Sequence, residues 1–293
     1  MTTALPRISI VTPNYNQAPF LERTLASVLD QNYPNLDYIV IDGGSDDGSV
    51  PIIERYADRL SHWESEPDKG QYDAVKKGFS HASGAVMGWI NSDDIYLPWT
   101  LQIVGEIFRD CPQIDWITST NQVNINEDDI ATSIFAPFGF SARSFFDGRH
   151  KGFGFRNAGV IQQESTFWRR TLWDKAGSAA GQKTNLAGDF ELWSSFFSNA
   201  EITCVTQPLA AFRIREGQRS QVYAQQYRIE VEQTSRRFQR PSNLPPAPHM
   251  AIADIVKKLT QRRPRLIVSK YGYMAQYVEK NNGKWVVHCH RFL

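Results

Sequence analysis

The sequence predicts an α/β protein built on a doubly wound, mostly parallel sheet, and three observations carry that expectation. Short β-branched, apolar runs recur through the first hundred residues, apolar side chains at helical spacing separate them, and each run closes in a polar, turn-forming cluster.

The first run, Arg7–Thr12, has the composition of a buried parallel strand and stops at Pro13-Asn14-Tyr15-Asn16. Phe20, Leu21, Leu25, Val28 and Leu29 then recur as one face of a helix. A second strand, Asp37–Ile41, ends at Asp42-Gly43-Gly44-Ser45, and Ile52, Ile53 and Tyr56 mark a second helix. Leu60–Ser65, Tyr72–His81 and Ala85–Ile90 complete the pattern as strand, helix and strand, the last ending at Asn91-Ser92-Asp93-Asp94. Right-handed crossovers between parallel strands put all the strand ends on one rim, where such sheets bind ligands.

Beyond residue 112 the alternation weakens. Asp115–Thr120 and Asn121–Asn126 are expected to pair as strands, Phe135–Phe155 to form a long ordered loop or a mobile lid, and Ser165–Lys175 and Asp189–Asn199 to be helical. A strand is expected within Glu201–Phe212 and a helix over Tyr223–Arg240, before the proline-rich break Pro241–Pro248. The division expected is one domain over 1–240, with a nucleotide-binding half to about 111 and an acceptor and catalytic half to about 240. A proline-rich linker and a small helical tail follow over 241–293.

The formal net charge of +1 excludes the electrostatic footprint of a nucleic-acid binder. Three scattered cysteines argue against a disulfide framework, and the lack of a signal-like start or a long apolar run points to the cytoplasm. A basic stretch over 257–270 reads as a solvated face or as a peripheral contact with anionic lipid at the inner face of the membrane.

Three clusters carry chemistry. Asp42 before two glycines suits a base or ribose contact with close backbone approach, or a simple turn. Acidic side chains at Asp93 and Asp94 suit a divalent metal, or a helix cap. Asp189 and Glu191 stand two apart at a helix start and cannot share a face, so one of them, Asp189, is the candidate general base; the alternative is a helix-dipole partner.

Taken in order, Thr12-Pro13-Asn14-Tyr15-Asn16, Asp42–Gly48, Asn91–Asp94, Gln163–Trp168 and Gly188–Trp193 resemble the motif series of family 2 inverting glycosyltransferases of the GT-A fold, bacterial surface-polysaccharide type. The similarity runs over roughly residues 7 to 220. It implies a Rossmann-like sheet with a mixed-strand acceptor region, and a transfer from a nucleotide-sugar donor to a glycan or lipid-linked acceptor. Thr12, Pro13, Tyr15, Asp42 and Gly43 would line the nucleoside pocket, with Asp42 facing the base, and Asp68 and Lys69 would lie near the nucleotide. Ser92 and Asp93 belong to the DxD-like motif, with Asp93 as ligand of Mn²⁺ or Mg²⁺. Asp189 would be the catalytic base, Glu164 and Trp168 would form the acceptor side, and Arg215 and Arg219 would close over the diphosphate. Two positions depart from the pattern: Asn91 replaces the first acidic residue of the metal motif, and Arg215 stands where relatives often carry histidine. Two other readings stay open: a nicotinamide-dependent oxidoreductase, disfavoured because no Gly-x-Gly-x-x-Gly follows the first strand, and an inactive glycan-binding protein of the same fold.

Overall fold

The computed structural model describes residues 4–154, 157–176, 181, 183–244 and 272–292. Its four leading strands are β1 (Ile8–Asn14), β2 (Leu36–Asp42), β3 (His62–Ser65) and β4 (Val86–Trp89). They pair in parallel in the order β3-β2-β1-β4, connected in part by α1 (Ala18–Leu29), α2 (Ser49–Tyr56) and α3 (Gln71–His81). Alternate strand residues serve opposite faces. Val11, Ile39 and Ile41 pack with Val75 and Phe79 of α3, while Ile8, Ile10, Tyr38 and Val40 pack with Leu21, Leu25 and Val28 of α1. Both faces of β1, β2 and β4 are therefore dry, which is why these strands read as largely apolar runs, whereas the edge strand β3 is only half-buried.

After β5 (Ile95–Tyr96) and α4 (Thr100–Asp110), the chain alternates between two sheets. β6 (Trp116–Ser119) lies in the large sheet and β7 (Gln122–Ile125) in a smaller one, so the two segments expected to pair do not. The Ser119 hydroxyl donates to the carbonyl of Gln207 (2.8 Å) and accepts from Asn121 N (3.0 Å), holding the chain where it leaves one sheet for the other. β7 pairs instead with β8 (Ala131–Phe135). Within the expected loop, α5 (Ala142–Phe146) is set by a reciprocal cap between Ser141 and Ser144.

The segment expected to be helical from Ser165 is first a strand, β9 (Thr166–Arg169), and only then α6 (Arg170–Ala176). β9 fills the gap between β4 and β6, antiparallel to both, and Arg169 anchors its end by donating to the carbonyls of Ile114 and Phe108. α7 (Gly188–Phe197) follows, then β10 (Thr203–Val205) and β11 (Ala210–Arg213), which belong to different sheets, then α8 (Arg219–Val222) and α9 (Ala224–Arg237).

The expected helical tail is corrected over its described part. β12 (Tyr273–Asn281) and β13 (Lys284–Phe292) form a hairpin that extends the large sheet beyond β10. Asn282 and Gly283, at φ 49° and 79°, make the two-residue turn that matches strand twist. Trp285 is buried, and its indole donates to Glu106 at 3.1 Å. The basic stretch and the second half of the proline-rich break lie outside the described residues. Among the described residues no helix is long and apolar enough to cross a membrane.

Candidate active site

The carboxyl ends of β1, β2 and β4 bring three of the motif clusters to one rim. At the end of β2, Asp42 is fully buried and its carboxylate accepts five hydrogen bonds. Asn14 Nδ2 (2.6 Å), Ser45 Oγ (2.5 Å) and Ser65 Oγ (2.6 Å) donate to it, as do the backbone N–H groups of Gly44 and Ser45. Burial raises the carboxyl's pKa, but these donors outweigh it and leave Asp42 below its usual range. No carboxylate edge remains open toward the rim. Asp42 thus fixes the turn at the end of β2 from within. Thr12 is likewise buried, sharing a 2.9 Å hydrogen bond with Tyr38. Pro13 is buried in β1, and Tyr15 is left 61% exposed on the rim. Gly43 is needed for contact: a Cβ there would meet the Asp68 carboxylate at 2.9 Å, so the missing side chain lets Asp68 close over the Asp42 turn. Asp68 also accepts from Gly70 N at 2.6 Å, and Lys69 is exposed beside it.

At the end of β4, the four residues Asn91–Asp94 divide their work. Asn91 accepts from Gln71 (2.6 Å) and donates to Asp94 (3.2 Å). Asp94 is fully buried and takes the backbone N–H of Arg213 at 2.9 Å, tying this turn to β11. Burial and the charges of Glu164 and Asp93 push its pKa well up. Ser92 is buried, its carbonyl accepting from Thr24 at 3.0 Å. Asp93 alone turns its carboxylate outward, where Arg215 Nε pairs with it at 3.2 Å and reaches Gln17 at 2.9 Å with its other end. Beneath, the fully buried Arg213 donates to the carbonyls of Asp93 (2.6 Å), Asn126 (2.7 Å) and Glu127 (3.2 Å) and pairs with Asp129. Arg213 and Arg215 both lie over the Phe20 ring, 5.0 and 5.3 Å from its centroid.

A further cluster comes from α7. Asp189 sits in its first turn, and burial pushes its carboxyl up to about 6, helped by the negative charge of Glu230 and opposed by the Phe190 N–H. The Tyr72 hydroxyl accepts from Asp189 N at 3.3 Å and donates to Leu186 O at 3.0 Å. Gly188 permits this approach, since a Cβ would meet the tyrosine ring at 2.6 Å. One oxygen of Glu230, from α9, accepts the N–H groups of Asn185 (3.1 Å), Leu186 (2.9 Å) and Ala187 (3.0 Å), fixing the turn into α7. Glu191 turns away into an ion pair with Arg237 and a 2.9 Å bond from Thr184.

Glu164, in the short 3-10 turn Gln163–Ser165 before β9, is the electrostatic link between clusters. It is buried, its Oε1 has no hydrogen-bond partner among the described residues, and burial followed by the charges of Asp93 and Asp189 raises its pKa to about 8. A raised folded pKa gives stability that is fully present below the unfolded value and lost as pH rises through about 8. Relative to Glu164→Gln, the wild-type thermal midpoint should therefore fall between about pH 4.5 and pH 8, and the two should lie closest at the acid end; parallel curves would refute this.

Trp168, expected on the acceptor side, is corrected to a core residue. It is fully buried and boxed by Phe79, Trp89, Trp173, Trp193 and Phe196, so neither ring face is free for a sugar. Arg219 is exposed at the start of α8, within electrostatic range of the Tyr72 hydroxyl. The supporting residues Asn14, Tyr72, Arg213 and Glu230 were not singled out by the sequence, because each acts through partners 28 to 120 positions away.

Residues 9–170, more than half of the chain, match the family model Glycosyl transferase family 2. The chain belongs to this family. Among its relatives, an uncharacterized glycosyltransferase of Mycobacterium tuberculosis is 40% identical over 93 residues, 31% of this chain and 36% of the relative. Glycosyltransferase AglE of Haloferax volcanii is 33% identical over 98 residues, 32% of each chain. The chain thus spans about a third of the length of these curated relatives. Solved structures share the GT-A fold of this family 2 protein. S. aureus TarS in complex with UDP aligns with TM-score 0.57 at 14% identity, over 78% of this chain and 64% of that one. The mannosyltransferase PcManGT of Pyrobaculum calidifontis, in complex with GDP-Man and Mn²⁺, aligns with TM-score 0.52 at 17% identity, over 80% and 64%.

Proposed function

We propose that this family 2 protein transfers a sugar from a nucleotide-diphosphate donor to a glycan or lipid-linked acceptor, by direct displacement with inversion. The observation that carries the reading is electrostatic. Asp93, Glu164 and Asp189 lie close enough on one rim for the first and last both to raise the pKa of the middle one, although they are 71 and 25 positions away in sequence by simple difference. A cluster of carboxylates at a sheet's ligand rim suits a reaction that removes a proton at one point and manages diphosphate charge at another.

Each part has a task in that chemistry. Asp189, ionised above about pH 6, takes the proton of the acceptor hydroxyl as it attacks the anomeric carbon. Tyr72 and Glu230 hold the turn and the helix end that aim it. Tyr15 offers an exposed ring for the base, and the buried Asn14 Oδ1, without a hydrogen-bond partner among the described residues, suits an N–H donor of a uracil, thymine or guanine ring. Arg215 and Arg219 match the diphosphate oxygens.

A divalent ion fits beside Asp93, because Mg²⁺-type sites commonly combine one or two carboxylates with substrate phosphates. When bound, such an ion neutralises the departing diphosphate. Asp93 has its carboxylate turned outward for this role, and Arg215 must leave it first. With Asn91 engaged by Gln71 and Asp94 by Arg213, Asp93 is the one carboxylate of its motif left for the ion.

A thermal-shift panel of UDP, GDP, dTDP and NAD, each with and without Mn²⁺, tests the reading, since ligands of the native state raise its midpoint. One nucleoside diphosphate should stabilise the protein more with Mn²⁺ than without, and Asp93→Asn should remove that extra part. Stabilisation by NAD alone would sink the proposal, and full transfer in chelator would exclude an essential metal.

A further inference from the structure

Away from the rim, His62, Glu64 and His81 form a cluster that the transfer reaction does not use. His62 and Glu64 are two apart on β3 and so project from the same face of that edge strand. His81 is the last residue of α3, which packs over that face. One potential ligand atom from each residue lies within 4.8 Å of the others. The imidazoles stack with centroids 3.8 Å apart and planes 15° from parallel. Nε2 of His62 is shielded from solvent and has no hydrogen-bond partner among the described residues; Glu64 Oε2 is 3.5 Å away, too far for a good bond. A shielded imidazole nitrogen that faces a carboxylate without bonding it is a donor set waiting for a third party.

We propose that His62, Glu64 and His81 bind a zinc-type divalent cation, tying the edge strand β3 to the end of α3. Two imidazoles and one carboxylate are a ligand set that zinc accepts, leaving a fourth position for water. Parallel rings cannot both point their lone pairs at one ion, so one ring must turn. His81 is the ring free to do so, because it is exposed while His62 is half-buried. Lys77 is the built-in competitor: its ammonium lies 3.9 Å from the other oxygen of Glu64 and stands four residues before His81 on α3. His62 lies about 10 Å back along β3 from Ser65, whose hydroxyl supports Asp42 at the rim, and Glu64, next to Ser65, projects from the opposite face of the strand. None of the three proposed ligands is among the residues assigned to the proposed transfer reaction.

The test is zinc binding to the chelator-treated full chain, followed by equilibrium dialysis and thermal denaturation. One zinc per chain should bind, with a midpoint rise of about 5 °C once free zinc is about 100-fold above Kd. His81→Ala, which alters an exposed side chain, should weaken binding by at least about tenfold, since even outer partners of metal sites cost that much. Glu64→Gln should do the same with the strand's shape preserved, and Lys77→Gln should tighten binding. Asp93→Asn should leave it unchanged. Failure of the chelated protein to take up zinc, or equal affinity in His81→Ala and wild type, would overturn the proposal. Loss of nucleotide binding with zinc binding intact would instead overturn only the transfer reading.

Discussion

Asp189→Asn is expected to lower the transfer rate by about 10²–10⁴-fold, the usual contribution of a positioned general base, while nucleotide binding stays near wild type. The substitution keeps the side chain's size and an oxygen to accept the Phe190 N–H, which is 2.7 Å from Oδ1. What it removes is the ability to take a proton. The same change should make the protein more stable at neutral pH. Burial and Glu230 hold the Asp189 carboxyl at about 6, above its ordinary 3.8. Its contribution to stability is therefore fully present below about pH 3.8 and is lost as pH rises through about 6. At pH 7 the wild type carries a costly buried charge that asparagine does not, a difference on the order of 3 kcal/mol. The wild-type rate should fall on the acid side of about pH 6, where the base is protonated. An inactive yet stabilised variant separates a catalytic role from a folding defect. Transfer at the wild-type rate, or loss of nucleotide binding together with transfer, would remove Asp189 from the base role.

β1, β2 and β4 were legible because burial on both faces imposes one pattern, and turn residues mark where each strand stops. β9 was not. Thr166-Phe167-Trp168-Arg169 is too short to show a period, and it runs directly into the helical Arg170–Ala176. Only the slot between β4 and β6 decides its state. That slot also explains the misreading of Trp168, since a tryptophan in a sugar-binding motif and one in a core look alike until the neighbouring rings are placed. The tail hairpin did carry a local sign in Asn282-Gly283, flanked by Tyr277-Val278 and Trp285-Val286-Val287. In the site, the split between Asp189 and Glu191 followed from helix geometry, because residues two apart cannot share a face. The inward turn of Asp42 was only partly local: Gly44 and Ser45 donate from the same turn, but Ser65 and Asn14 come from neighbouring strands. Arg213 was equally hidden, as one arginine among several in a loop-like segment.

Arg213→Met is expected to destabilise the fold by about 3–4 kcal/mol, the range for removing one partner of a buried charged network. Arg213 has no exposed side-chain surface, yet its guanidinium serves three carbonyls and Asp129. Methionine fills similar volume but leaves those acceptors without their donor, so the cost lies in the orphaned groups rather than in lost packing. The thermal midpoint should drop by roughly 10 °C, taking the stability change at about 2–4 °C per kcal/mol for a chain of this size. Asp129→Asn separates the two contributions. Asp129 keeps 31% of its side chain exposed and also pairs with Arg23, so losing its charge should cost no more than about 1 kcal/mol. Arg213→Lys should remain well below wild type, because an ammonium cannot reproduce the planar fork that spans β11 and the Asn126–Glu127 turn. The damage should also reach the rim. Arg213 holds the carbonyl of Asp93 and, through its own N–H, the carboxylate of Asp94, so the outward carboxylate of Asp93 loses its footing when the guanidinium goes. Nucleotide affinity in Arg213→Met, measured well below its lowered midpoint, should therefore fall with the manganese-dependent part lost first. A variant as stable as wild type, or one whose manganese dependence is untouched, would show that Arg213 is not the support of this turn.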